Sequence, residues 1–416
     1  MSMRIAVIGG GPSGSVAAAL LAERGHSVFI FDKGGRPNTL AGESLVPGVI
    51  PILRKLDIEG RVAAISVLKP GVSFYPGGGK EFAFSFTSLP RKNPQYAYNV
   101  PRPAFDNLLQ SRALELGAIK VNIKAELHSL GDRLLLSPDT LESVNAWQGV
   151  QPDLIIDASG RRRMSSKILD IQSETGPRRD VAFFAHFHGF FPETPSGQVR
   201  INRLSSGWAW RIPLRDKMSV GVVMSQKDAA ELGTSSAERL DAAIRRDPVL
   251  SQEYKELKRV SEVRTYGNYQ LIAYRGSGEN WAAVGDAFGF VDPMLSPGMM
   301  VAMDSALQLC NELERFPIRE ALERYSKRVT NELRSWMDLI SYFYNGRIFE
   351  LHDAGKAFQN QYHHLPLGFM ESFMSKNMAG MASGFTTSSP FSRGVLKNMD
   401  RWVLGESAKD QKYAII

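Results

Sequence analysis

Cysteine is almost absent from this chain: Cys310 is the single one in 416 residues. That excludes an intramolecular disulfide framework and any metal site built from several thiolates. Long apolar runs are missing too, none reaching the about 18 residues that a membrane-spanning helix needs. Repeats of fixed period and low-complexity tracts are lacking, which argues against solenoids and propellers. The first 24 residues are rich in Ala, Ile and Val but have no basic leading segment, and glycines interrupt them. They read as part of the fold rather than as an export signal, and a cytoplasmic location is the expectation. Charge of one sign is also scarce. The 50 Lys and Arg exceed the 43 Asp and Glu by only 7, too few over this length for a nucleic-acid binder. Anionic cofactors or acidic partners remain compatible with that excess.

What is present is an ordinary globular composition, 43% hydrophobic and 22% charged, in a length that implies two joined domains and a C-terminal addition. The β-branched run Arg4 to Ile8 meets Gly9-Gly10-Gly11-Pro12-Ser13-Gly14, an apolar helical stretch runs from Ser15 to Arg24, and Val28 to Phe31 ends at Asp32. This is a strand–helix–strand unit. Gly9, Gly11 and Gly14 have the G-x-G-x-x-G spacing, in which the glycines allow a tight turn, close approach of a pyrophosphate, and close packing of helix on strand. The helix N-terminus offers unpaired N–H groups to phosphates. Asp32 follows Gly14 by 18 positions, where a carboxylate accepts hydrogen bonds from ribose hydroxyls. Dinucleotide binding is therefore expected. Two further strand-like runs lead into Asp157-Ala158-Ser159-Gly160 and into Gly285-Asp286. Residues from about 176 to 265 alternate aromatic and polar side chains, as antiparallel sheet does. Helical patterning dominates from about 303.

These markers, in this order, resemble the FAD-dependent oxygenase superfamily that includes aromatic hydroxylases, geranylgeranyl reductases and flavin-dependent halogenases. The resemblance implies FAD as cofactor, with Asp157 and Gly160 near the pyrophosphate, Gly285 and Asp286 at the ribitol, Arg102 reaching the flavin, and Glu43 in a loop beside it. Gly298 belongs to the same expected cofactor set. The implied fold class is α/β: a doubly wound FAD-binding domain of the glutathione-reductase-like Rossmann type, with an inserted mixed β-sheet substrate domain and a helical C-terminal region. In segments, the FAD domain takes 1–66, 99–175 and 266–325. The substrate domain takes 67–98 and the antiparallel sheet of 176–265, and 326–416 is helical.

Two more motifs point within that superfamily. Trp208-Ala209-Trp210-Arg211-Ile212-Pro213 matches W-x-W-x-I-P, and Phe290 to Gly298 matches F-x-x-P-x-x-S-x-G; both are similar to flavin-dependent halogenases. The resemblance implies a flavin hydroperoxide formed from reduced FAD and dioxygen, a halide converted to hypohalous acid, and a lysine that activates the oxidant. Lys69 stands where that lysine is expected, with Lys80 as a rival. Trp208, Trp210, Ser296 and Pro297 form the expected substrate and halide region, although tryptophans two apart on a strand equally suit core packing. Two departures stand out: Leu295 replaces the acid found before the motif serine in enzymes acting on free tryptophan, and Pro297 has no N–H for the halide turn. Hydroxylation or halogenation of an electron-rich ring is expected. The ring is free or protein-borne, such as a peptidyl tryptophan in quinone-cofactor maturation, and a separate flavin reductase is a candidate partner. The alternatives are an alkene reductase of the geranylgeranyl-reductase type and a non-catalytic FAD-binding module. No metal is expected: His186 and His188 share a strand face but lack a third ligand. Met299 and Met303 read as core. Met370, Met374, Met378 and Met381 read as one apolar helix face, of core, lid or docking surface. Cys310 reads as inert.

Overall fold

The computed structural model describes residues 2–77, 80–189, 196–268, 270–353, 376–401 and 415. Strand β1 (Arg4–Ile8) turns through the glycine run into helix α1 (Pro12–Glu23), and the chain returns as β2 (Ser27–Phe31). Both strands are apolar along nearly their whole length, as strands covered on both faces must be. Helix α1 is buried almost all round, a composition that only a helix sandwiched between other elements tolerates. A short ribbon of β3 (Val67–Lys69) against β6 (Ala97–Asn99) encloses the hairpin β4 (Gly71–Gly77) and β5 (Lys80–Ser85). Helix α2 (Arg102–Glu115), β7 (Ile119–Val121) and β8 (Leu154–Asp157) follow. Next come β9 (Asp180–Gly189), β10 (Val199–Leu204), β11 (Gly207–Pro213) and β12 (Met218–Ser225). The chain closes through β13 (Trp281–Ala283), α3 (Pro297–Arg315) and α4 (Ile318–Tyr344).

Two large sheets result. The first has order β13-β8-β1-β2-β7 and is parallel throughout, the arrangement the family resemblance implied. The second runs β9-β12-β11-β10-β4-β5, with strands Leu257–Arg259 and Arg264–Asn268 added along β9. Its pairs are antiparallel except β10 with β4, which is parallel. The expected segment 67–98 thus completes a sheet whose other strands come from 176–268.

The sequence borders need correction at three places. The expected break after 98 falls inside β6, and the break after 265 falls inside Arg264–Asn268, whose residues keep pairing with β9. The break after 325 falls within α4, an unbroken 27-residue helix. Helix α4 is a single rod serving both sheets. The Tyr325 hydroxyl near its start donates to the Ala283 carbonyl on β13 at 2.6 Å, while Phe343 near its end packs on Phe74 of β4 at 5.0 Å. Composition alone does not tell a helix that begins a new region from one that ties two regions together. Among the described residues, no helix is long and apolar enough to cross a membrane.

Candidate active site

The cofactor end is built locally. Gly9 has φ of +108°, and a Cβ there would stand 2.5 Å from the Ala158 carbonyl oxygen; a Cβ on Gly14 would stand 2.0 Å from the Gly9 oxygen. Both glycines are required by close backbone approach. Gly11 differs. Its backbone is extended, and nothing lies within 4 Å of a Cβ built on it, leaving room for a ligand. The first turn of α1 carries no acidic residue and no side-chain cap, so its N–H groups and the positive end of the helix dipole are available to an anion.

At the end of β2, Asp32 accepts from Arg36 at 2.6 Å, Gln110 at 3.1 Å and the Gly34 N–H at 3.2 Å. Burial alone would raise its pKa; Arg36, Gln110 and Gly34 outweigh it and hold the carboxyl below the usual range. A carboxylate has about four lone-pair sites, so ribose hydroxyls still find an acceptor. Arg102 makes a bidentate pair with Asp106 at 3.0 and 3.1 Å and donates to the Ala41 carbonyl. Asp286 sits in the short turn Gly285–Ala287, the Gly285 N–H being held by Ser305 Oγ at 2.9 Å. Loss of water pushes the Asp286 carboxyl up to about 6, against the pull of Arg161 and Arg102. Gly298 is open, with nothing within 4 Å of a built Cβ, and Gly160 has φ of +60° in the turn after β8. An uncapped helix end, an open glycine and a half-buried acid between two arginines fit the pyrophosphate, ribose and ribitol of FAD.

Asp157 holds the loop that follows β8. One carboxylate oxygen accepts from the Ser159 N–H at 3.0 Å, the other from the Ser165 N–H at 2.7 Å and hydroxyl at 2.6 Å. It shapes the loop that carries Gly160. Glu43 Oε1 lies 2.8 Å from His186 Nε2, both side chains being buried. His186 therefore makes a buried hydrogen bond, as one of its sequence readings held, whereas His188 is exposed near the end of β9. Among the described residues, no group of His, Cys, Asp and Glu is placed to hold a metal.

Beyond this end lies a cavity enclosing about 720 Å³, open solvent included. Lys69 and Ser296 line it, with Phe74, Phe86, Leu295 and Phe343 among mostly apolar walls. Lys69 is 1% exposed and donates to Ser44 Oγ at 2.7 Å and to the Leu45 carbonyl at 2.9 Å. Burial lowers its pKa to about 7. Lys80, the rival, is exposed on β5 and paired with Asp353 at 3.0 Å. Ser296 has a left-handed backbone, φ 57°, and precedes α3, where Pro297 is the first residue. The Ser296 N–H donates to the Pro293 carbonyl at 2.8 Å, and Pro297 has none to give.

The two tryptophans do not line this cavity; they stand behind it, their rings 5.7 Å apart. Trp208 Nε1 donates to the Tyr344 hydroxyl at 2.9 Å, which donates to Asp292 at 2.8 Å. The other Asp292 oxygen accepts from the Met294 N–H at 2.9 Å. A buried chain of hydrogen bonds thus ties the W-x-W strand, the end of α4 and the turn before Ser296. Trp210 donates to Ser219 at 3.2 Å. Sequence reading missed Tyr344 and Phe343; the one available signal was the apolar face of α4 running to its last residues. Met299 and Met303 are core, as expected. Met370 and Met374 lie outside the described residues, whereas Met378 lines the cavity and Met381 is buried.

Fold and site together define an FAD-dependent oxidoreductase with a Rossmann-type cofactor domain. The family model described as "Tryptophan halogenase" matches residues 85–348, and the one described as "NAD(P)-binding Rossmann-like domain" matches residues 7–51. The chain belongs to the tryptophan halogenase family of flavin-dependent enzymes. It is 30% identical over 358 residues to a tryptophan 2-halogenase of Chondromyces crocatus, covering 82% of this chain and 68% of that one. It is 24% identical to a 1H-pyrrole-2-carbonyl-[peptidyl-carrier protein] chlorinase of Pseudomonas fluorescens, covering 82% and 83%. Among solved structures, the flavin-dependent brominase Bmp2 superposes with a TM-score of 0.75 at 22% identity, over 96% of this chain and 100% of that one. The myxobacterial chondrochloren halogenase CndH does so with 0.71 at 26% identity, over 83% of each. The halogenase PltM, solved with FAD, gives 0.73 at 18% identity, over 98% and 92%.

Proposed function

We propose that this enzyme oxygenates an electron-rich aromatic ring held in the cavity between Lys69 and Ser296, and that it is poorly equipped to halogenate. The observation that carries this reading is the turn at Ser296–Pro297. Two successive positions offer no N–H to an anion there: Ser296 spends its own on Pro293, and Pro297 lacks one. A desolvated halide missing donors is poorly compensated. FAD, when bound and reduced, supplies two-electron activation of dioxygen. The glycine turn and α1 hold its pyrophosphate, Asp32 its ribose, and Asp286 with Arg102 the ribitol side. Lys69 meets the ring or the oxidant inside the cavity, and the apolar walls exclude water from both.

A ring delivered by a carrier or partner protein fits the same site, and the likeness to a carrier-protein chlorinase supports it. A separate flavin reductase is the electron source in this reading. The alkene-reductase alternative calls for an apolar tunnel and gives no role to a fully buried lysine, so Lys69 counts against it. The test is a bromide titration of product formation by the reduced holoenzyme with an electron-rich arene. The expected result is oxygenated product at a rate indifferent to bromide; saturable acceleration at millimolar chloride or bromide would sink the reading.

A further inference from the structure

Glu43, Ser44 and Leu45 run as a short strap along β6. The Glu43 carbonyl accepts from the Val100 N–H at 2.7 Å, and the Leu45 N–H donates to the Tyr98 carbonyl at 2.9 Å. All three residues also take bonds from the side of the large sheet. Ser44 Oγ and the Leu45 carbonyl receive the two hydrogen bonds of Lys69 Nζ, on the strand that leads directly into β4. Glu43 Oε1 meets His186 Nε2 at 2.8 Å, the two side chains being 2% and 6% exposed.

His186 is a firm anchor for that bond. It lies within β9, where its N–H donates to Ser261 Oγ at 2.9 Å and its carbonyl accepts from the Val260 N–H at 2.9 Å. Strand alternation puts its side chain on the face of Phe184, whose ring lies 5.8 Å from that of Trp210. The same sheet supplies cavity walls through Val72, Phe74, Val199 and Ile201. The imidazole therefore bonds the strap to the sheet that encloses the ring. A buried carboxyl deprived of such a partner is costly, and the strap carrying it must shift to regain one.

We propose that the His186–Glu43 pair is the joint that fixes this strap to the large sheet, and that both are positioning residues for the oxidation of the ring. They keep Ser44 and Leu45 where these hold the Lys69 nitrogen. The proposal rests on the reading above, that the ring is oxidised in this cavity, and is indifferent to which atom is added. Neither His186 nor Glu43 lines the cavity, so the pair acts through the strap. A misplacement of about 1 Å in a group that orients reacting partners costs on the order of a hundredfold. Oxygen uptake depends on the cofactor and not on the Lys69 nitrogen, so a loosened strap wastes oxidant rather than stopping its formation.

His186→Asn and His186→Gln separate the joint from bulk packing. The Gln amide nitrogen falls near the place of imidazole Nε2 and reaches Glu43, whereas the shorter Asn amide ends near the place of Nδ1 and does not. Holoenzyme freed of unbound flavin is reduced, mixed with oxygen and indole, and followed for a single turnover. Product per flavin reoxidised is the readout, a ratio that a smaller folded fraction does not move. His186→Asn should lower it by about tenfold at an unchanged rate of reoxidation, and His186→Gln should keep most of it. Glu43→Ala should fall as far as His186→Asn, and the double variant no further. Hydrogen exchange on the same holoenzymes should show the Leu45 and Val100 amides opening about tenfold more readily in His186→Asn, and as in the native protein in His186→Gln. A native product ratio or native exchange in His186→Asn, or equal losses in the two variants, would overturn the joint while leaving the oxygenation reading intact. Absence of product from the native enzyme would overturn the two together.

Discussion

The cofactor cleft and the apolar cavity solve opposite problems. In the cleft three acids have close partners: Asp32 faces Arg36 and Gln110, Asp106 faces Arg102, and Asp157 is wrapped by its own loop. Such a network is set before any ligand arrives and presents fixed dipoles to a charged dinucleotide. In the cavity the reverse holds, because Lys69 is isolated among aromatic and aliphatic side chains with two neutral acceptors for company. A paired charge stays charged; a lone buried amine moves toward neutrality and becomes a base. The cleft is therefore suited to holding a cofactor and the cavity to moving a proton.

The contrast is broken most severely by removing its centre. Lys69→Ala should abolish product, a loss of at least about a hundredfold on the scale of general-base removal, while the reduced enzyme still consumes oxygen. Product analysis beside an oxygen electrode separates the two. At the other end, Gly11→Val fills open space without straining an extended backbone, so the variant should fold like the parent. Its FAD affinity should fall by at least about tenfold, equivalent to some 1.4 kcal/mol, measured by equilibrium dialysis; unchanged affinity would remove the pyrophosphate from this turn.

Lys69 also makes a stability prediction whose sign follows from linkage. Its folded pKa, about 7, is below its value of 10.5 in an exposed chain, so between those values the unfolded state binds more protons. Stability should rise with pH across that window, by up to about 5 kcal/mol at ~1.4 kcal/mol per unit. Below pH 7 the cost of burying the ammonium is complete. Denaturant melts of the native protein should show this slope relative to Lys69→Met, in which it should vanish; parallel profiles would refute the burial effect.

Pro297→Thr restores an N–H at the start of α3. A charge-assisted hydrogen bond to a desolvated anion is worth about 1.5–3 kcal/mol, so bromide should bind roughly ten- to a hundredfold tighter, read from the halide dependence of flavin reoxidation. The smallest effect is expected for Tyr344→Phe, which cuts the link from Trp208 to Asp292. It should cost about 1–3 kcal/mol of stability and raise KM more than it lowers kcat, since the turn bearing Ser296 loses a support.

How much of this was legible in the sequence follows the same division. The glycine turn, Asp32 and Gly285-Asp286 were readable because each is a local motif whose geometry a few neighbouring residues decide. The contact of the Glu43 carboxylate with His186, 143 positions away, was not readable, since no local pattern encodes it. Trp208 and Trp210 were readable as sharing a strand face, but alternation does not say which face meets the cavity. The cavity itself draws on Val46, Lys69, Phe86, Val199, Ser296 and Phe343, six separated stretches that only the folded chain brings together. Pro297 was the exception, because the missing N–H of proline is a property of the residue and survives any context.

The claim at the centre of this account, oxygenation at a turn unable to hold a halide, is tested most directly with labelled dioxygen in the presence of saturating bromide. Reduced holoenzyme and an electron-rich arene should give a ring carrying the labelled oxygen and no bromine, in the same yield as without bromide. A brominated ring as the main product, with the oxygen label found only in water, would contradict it.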